Sequence, residues 1–222
     1  MEPAADLDRD IIENVARRLG TREFDVLHPG LMYRLFALYW SGQRAMSFVD
    51  AHTRFTRVEA APMIDPDRLP SDYVAVKLYA ARSLPDTPDV RRVLHSLVAG
   101  LAERSWVVLL DTGLALGDDH ADYSLAGSRV LSAREWMTPQ TNLGVQTQII
   151  AGARAFVGTC GSLAWLAPRL GADTSALYVD ASFLHAHLAV AMRAHHKLGA
   201  GRFAAADLRA LDPLTTSGAV RA

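Results

Sequence analysis

Between residues 73 and 197 the sequence alternates short apolar runs with segments of helical period, and this alternation restricts the fold more than any other feature. Tyr73–Tyr79 (YVAVKLY) is strand-like and mostly apolar. Val90, Val93, Leu94, Leu97, Val98 and Leu101 then recur at the spacing of one helix face, behind Thr87 as an N-cap and Pro88 at the first helical position. Trp106–Leu110 (WVVLL) is a continuous apolar run, the mark of a strand covered on both faces. Weaker strand character follows at Arg129–Leu131. A helix is expected over Asn142–Ala153, with Asn142 as its cap, and a strand over Ala155–Val157. The segment 158–162 (GTCGS) reads as a tight turn. A helix through Leu163, Leu166, Ala167 and Leu170 should bend at Pro168 and end at Gly171. Ala176–Val179 is a further strand. Ser182 should cap a last helix through His196, burying Leu184, Leu188, Ala191 and Met192. Neighbouring parallel strands need crossovers, and crossovers are usually helices. The expectation is an α/β domain: a Rossmann-like parallel sheet with helices on both faces.

The rest of the 222 residues is less regular. Residues 62–72 (PMIDPDRLPSD) hold three prolines and four charged side chains, and read as a linker. Upstream, residues 1–61 are expected to form a partial N-terminal α/β segment. It has a helix over Leu7–Gly20, a strand candidate at Phe24–His28 and a helix over Pro29–Ser41; Phe48–Val58 has no clean period. Residues 73–212 form the main domain, and 213–222 a polar, frayed tail. Lys+Arg 23 against Asp+Glu 24 gives no concentrated positive charge, which argues against nucleic acid as a partner. One cysteine, Cys160, excludes an internal disulfide framework. The longest uncharged stretch, Trp136–Ala153, carries Thr, Gln, Asn and Pro and does not read as a membrane span. The N-terminus lacks the pattern of a signal peptide, so a cytoplasmic location is expected.

Open parallel sheets bind ligands beyond the carboxyl ends of their strands. The polar and glycine-rich residues cluster there: Lys77, Tyr79 and Arg82 after the first strand, Thr112 and Gly113 after the second, and Gly158, Thr159, Cys160, Gly161 and Ser162 before a helix. A helix N-terminus with glycines and a hydroxyl suits an anion, and a neighbouring cation would complete the clamp. The plainer readings are that the glycines only make the turn, that Ser162 only caps, and that Arg82 is solvated. Lys77 lies inside an apolar strand, where lysine is seldom buried without a partner. The turn lacks the Lys-Ser or Lys-Thr of a P-loop, and its glycines do not fit the dinucleotide fingerprint. No G-x-S-x-G elbow supports a hydrolase.

Weaker candidates remain. Asp118, Asp119, His120 and Asp122 look like a metal cluster, but a surface loop after a strand commonly carries such residues, and no metal site is expected. Cys160 stands where a helix N-terminus could favour its thiolate, with no base identifiable. His195 and His196, at a helix end, would complement the dipole as imidazolium.

Residues 146–171 (QTQIIAGARAFVGTCGSLAWLAPRLG) resemble the donor-binding segment of GT-B glycosyltransferases. In those enzymes a helix leads to a short strand, a Gly-Thr turn and a second helix facing a sugar-nucleotide diphosphate. Tyr73–Arg82 resembles the first strand of the same C-terminal domain. The resemblance covers about residues 73–212. It implies that Lys77 and Arg82 neutralise the diphosphate and that Gly161, Ser162 and Leu163 offer backbone N–H groups, Ser162 a hydroxyl as well. Thr159 belongs to the same turn. Asn142 and Gln146 would face the base or ribose, and Thr112 and Gly113 would border the nucleotide pocket. It implies no cofactor and no metal: the nucleotide-sugar is the substrate, and an unspecified acceptor hydroxyl receives the sugar. A full GT-B enzyme has two Rossmann-like domains, and residues 1–61 are too few for the second. A partial chain, or a donor domain without its acceptor half, is therefore expected. Two rivals share the fold: a non-catalytic nucleotide-sugar-binding or partner subunit, and a nucleotide-sugar epimerase, which needs carboxylates and histidines across the cleft.

Overall fold

The computed structural model describes residues 13–18, 20, 29–113, 121–182 and 184–211. The chain divides into two compact units, residues 1–52 and 53–222. In the first, helices α1 (Pro29–Trp40) and α2 (Met46–His52) are joined by a short turn. The expected helix over Pro29–Ser41 is thus present, and α2 occupies part of the stretch that had no readable period. Residues 13–18 are helical, and the strand candidate at Phe24–His28 lies outside the described residues.

The second unit is a six-stranded, all-parallel sheet. Its strands are β1 (Tyr73–Lys77), β2 (Trp106–Leu109), β3 (Val130–Ser132), β4 (Ala155–Thr159), β5 (Asp173–Tyr178) and β6 (Phe203–Asp207). They lie in the order β3-β2-β1-β4-β5-β6, so the chain reverses its direction of travel across the sheet between β1 and β4. This is a Rossmann-like α/β domain. Lys77, the last residue of β1, is in register with Gly158 of β4.

Strand residues alternate between two cores. Val74, Val76, Val107, Leu109 and Val157 face helix α3 (Pro88–Arg104), which buries Val90, Val93, Leu94, Val98 and Ala102 against them. Tyr73, Ala75, Val108, Leu110 and Phe156 face the other side. There helix α4 (Asn142–Gly152) contributes Val145, Ile149 and Ile150, and helix α5 (Ser162–Leu166) contributes Ala164. Helix α6 (His185–Leu198) packs Leu188 on the same face. Helix α3 starts as its sequence dictates. Thr87 Oγ1 accepts from Val90 N–H at 3.3 Å and Pro88 needs no partner. Asp89 and Arg104 sit at the ends that the helix dipole favours.

Several local expectations need correction. Gly158 and Thr159 are strand residues, so the turn after β4 begins only at Cys160. Thr141, not Asn142, stands at the N-cap of α4, and without a side-chain cap bond. Ser182 does not cap α6: its N–H is held by Asp180 Oδ1 at 2.8 Å, and the helix starts at His185. The buried side of α6 holds Ala194 and His195, while Met192 is exposed. The bend at Pro168 is a change of helix type, from α5 into a 3-10 turn over Ala167–Leu170, closed by left-handed Gly171. Strand β6 was not expected at all. Its Phe-Ala-Ala-Ala-Asp has low intrinsic strand preference, and pairing along β5 holds it.

Residues 53–64 are fixed to the second unit. Phe55 lies under the Arg169 guanidinium, Val58 N–H donates to Arg169 C=O at 3.0 Å, and Arg57 donates to Gly199 C=O. Gln148 on α4 clamps Ile64, accepting from its N–H and donating to its C=O, both at 2.8 Å.

Candidate functional site

The crossover point between β1 and β4 is where this topology leaves a crevice. Lys77 shares the strand parity of Tyr73 and Ala75, so it projects on the α4–α5 side. Its ammonium is 2.7 Å from Asp122 Oδ1, and both side chains are only 12% exposed. The other carboxylate oxygen, Oδ2, accepts from Thr112 N–H at 2.9 Å. The backbone around Asp122 runs antiparallel to the segment after β1. Ala80 N–H donates to Ala121 C=O, Tyr123 N–H donates to Leu78 C=O, and Tyr79 and Asp122 form an isolated bridge. Asp122 therefore binds the ends of β1 and β2 together through Lys77 and Thr112.

Thr159, 1% exposed, spends its hydroxyl on the same loop. Its Oγ1 accepts from Tyr79 N–H and donates to Tyr79 C=O, each at 2.9 Å. Tyr79 then reaches over the turn after β4: a Cβ on Gly161 would overlap the Tyr79 hydroxyl. Burial raises the Tyr79 phenol, and the Cys160 thiol and Asp122 carboxylate add to that. The glycine that reads as room for a phosphate is thus also room for a phenol. Ser162 is exposed at the first position of α5, and Leu163 packs against the core on the α4 side. Helix α5 is five residues long before the 3-10 turn begins.

The remaining candidates are spread around this centre. Arg82 is exposed in the turn closed by Ala81 and Leu84. It lies toward the end of β5, where Ser83 C=O accepts from Val179 and Asp180 N–H. Hydrogen bonds from Ser182 hold the Asp180 carboxyl below its ordinary range, with Arg82 and Arg209 adding to the effect. Lys77 pairs with Asp122, and the charge of Arg82 acts on Asp180. Gly113, at φ +60, lies under the Arg134 guanidinium. Arg134 also pairs with Asp111, which accepts from Ser132 Oγ at 2.6 Å. Asn142 reaches Pro139 C=O at 3.5 Å. Gln146 is buried on α4, with no hydrogen bond to its Oε1 among the described residues.

Two titratable groups behave differently from their sequence positions. Cys160 is buried and its thiol is pushed up to about 12 by loss of hydration, so it is inert rather than a poised thiolate. His195 is buried beside Phe203, and burial lowers it to about 4, with Arg169 contributing. It is neutral at physiological pH and does not complement the helix dipole as a cation. The loop residues Asp118, Asp119 and His120 lie outside the described residues. Among the described residues no group of three or more His, Cys, Asp or Glu side chains could hold a metal ion. No helix among them is long and apolar enough to cross a membrane.

Two features of the centre escape a reading of the sequence: Asp122 as the partner of Lys77, and Tyr79 as the cover of Gly161. A lysine in an apolar strand signals that a carboxylate must come to it, but not which one. Comparison with known protein families, curated proteins and solved structures finds no match. The fold and the geometry of this crossover point define the class of the molecule, a Rossmann-like α/β protein.

Proposed function

We propose that the second unit binds a nucleotide-sugar through its diphosphate at the carboxyl ends of β1 and β4. In this reading it serves a GT-B-type transfer of the sugar to an acceptor hydroxyl. The observation that carries the reading is the register of Lys77 with Gly158 at the crossover point. It sets a cation and the turn leading to the Gly161–Leu163 amides on adjacent strands of a sheet whose order favours ligands at that place. The chemistry asked of these groups is electrostatic. An ammonium and backbone N–H groups stabilise the negative charge that grows on the departing diphosphate. The acceptor hydroxyl passes its proton to a general base on the acceptor side as its oxygen bonds to the anomeric carbon, and the bond from that carbon to the phosphate oxygen breaks, releasing the nucleoside diphosphate.

Calorimetric titration of the folded protein with UDP, GDP, CDP, ADP and dTDP tests this. One of them should bind, and Lys77→Ala should weaken that binding by about 1.5–3 kcal/mol, the scale of a charge-assisted hydrogen bond. Absence of binding by all five, with a cooperative melt retained, would overturn the proposal. A second reading is a nucleotide-sugar-binding subunit without transferase activity. Binding of the nucleotide-sugar without transfer or hydrolysis would select it.

A further inference from the structure

His195 is buried among groups that give it no counter-charge. Its ring lies 5.2 Å from that of Phe203 on β6, which lies 5.4 Å from Trp165 on α5. Its helix, α6, packs against the 3-10 turn Ala167–Leu170. Arg169 of that turn is the charge that acts on the ring among the described residues. Helix α5 carries no charged side chain. On β6 and beside it, Asp207 is paired with Arg209, and Arg202 with Asp173. Arg193, His196 and Lys197 on α6 itself are exposed. Neither ring nitrogen has a hydrogen-bond partner among the described residues. Segment 53–64, which follows directly on the first unit, is anchored to both elements that pack together here. On the turn, Val58 N–H donates to Arg169 C=O at 3.0 Å, and Phe55 lies under the Arg169 guanidinium at 5.1 Å. On the helix, the Arg57 guanidinium donates to the C=O of Gly199, the C-cap of α6, at 2.9 Å.

We propose that His195 is an acid-sensitive latch: its neutral ring lets the 3-10 turn and the end of α6 close on each other, and its protonation parts them and releases segment 53–58. A charged ring in the closed position would lack hydration and an anionic partner, and would stand against the Arg169 cation. Moving the end of α6 away from the turn brings the ring to water. The anchors at Arg57 and Val58 sit on those two elements, so they cannot both keep their bonds as the elements part. Only the last turn of α6 and the segment need move, and the sheet stays closed. The consequence is a longer free tether after residue 52.

Hydrogen exchange at the Val58 amide of the full chain, taken relative to an unstructured peptide at each pH, is the test. An opening that exposes His195 takes up a proton below the ordinary imidazole pKa of 6.5, and the gain levels off once the buried ring titrates too, at about 4. Val58 protection should therefore fall about a hundredfold between pH 7 and pH 4. At every pH it should stay below that of Leu110, whose N–H donates to Val76 C=O inside the sheet. In His195→Leu and in His195→Gln the fall should disappear. A flat profile in the wild type would overturn the proposal, as would an undiminished fall in either folded variant. Equal protection at Val58 and Leu110 throughout would overturn it as well, because the segment would then open only with the whole domain.

Discussion

At the scale of single residues, His195 carries the clearest consequence. It is 6% exposed, and neither ring nitrogen has a hydrogen-bond partner among the described residues. Its pKa falls from the ordinary 6.5 to about 4, because burial disfavours the charged ring. In the unfolded chain it regains the higher value. The unfolded state therefore takes up a proton first as pH falls, and stability drops between about pH 6.5 and pH 4, then levels off with respect to this group. The full loss is on the order of 3 kcal/mol. Urea unfolding at pH 7, 5.5 and 4 measures it, and His195→Leu should remove this component of the slope. A slope unchanged by the substitution would mean that another group titrates. Gly161 offers a second test. A methyl there collides with the Tyr79 hydroxyl, so Gly161→Ala should cost about 1–3 kcal/mol, the range for overpacking. The ring carbon behind that hydroxyl is 3.3 Å from the added Cβ. Introduced into a Tyr79→Phe parent, the same substitution should therefore cost much less. Equal costs in both backgrounds would show that the phenol does not press on this glycine.

At the scale of elements, some ends are written locally and others are not. Helix α3 is written locally: Thr87, Pro88 and the spacing of Val90, Val93, Leu94 and Val98 suffice to start it and choose its face. Thr87→Ala should lower stability by about 1 kcal/mol through loss of the Val90 N–H partner, read in denaturant midpoints. Thr87→Ser, which keeps an oxygen there, should recover most of it. Helix α6 is different. Asp180 captures Ser182 N–H, and the residue that reads as a cap becomes part of a turn before the helix. Strand β6 has three consecutive alanines, which suit a helix as well as a strand. Its identity comes from the open edge of β5. Helix α5 gives way to a 3-10 turn at Ala167–Leu170, ahead of the left-handed Gly171. Its macrodipole is that of one short turn, so the charge of the site rests chiefly on Lys77 and its partner.

At the scale of the whole molecule, the sheet order brings together residues from distant parts of the chain. Lys77, Thr112, Asp122, Thr159 and Gly161 meet around the crossover between β1 and β4 or at the adjacent end of β2. A ligand that binds only the folded state raises apparent stability by mass action. At a hundred times its Kd, a nucleoside diphosphate should stabilise the second unit by about 2.7 kcal/mol. At about 2–4 °C per kcal/mol for a domain of this size, that corresponds to a rise in Tm of about 5–11 °C. Differential scanning fluorimetry reads it directly. The rise should shrink in Lys77→Ala at the same ligand concentration, and an equal rise in both proteins would remove Lys77 from the site.

Much of the architecture was legible because local chemistry wrote it. Continuous apolar runs at Tyr73 and Trp106 need cover on two faces, and the helical spacing of residues 90–101 supplies one layer of that cover. The position of the candidate centre was legible for the same reason: polar residues gather at strand ends because the strands themselves are buried. What the sequence could not determine was the pairing of those residues. A carboxylate in a loop can be solvated, hold a metal or answer a lysine, and a glycine in a turn can admit a phosphate or a phenol. The tertiary structure decided that Asp122 answers Lys77 and that Tyr79 covers Gly161, because those choices depend on which strand ends become neighbours. That neighbourhood is fixed by the order of strands across the sheet, a long-range property that no local run of residues carries.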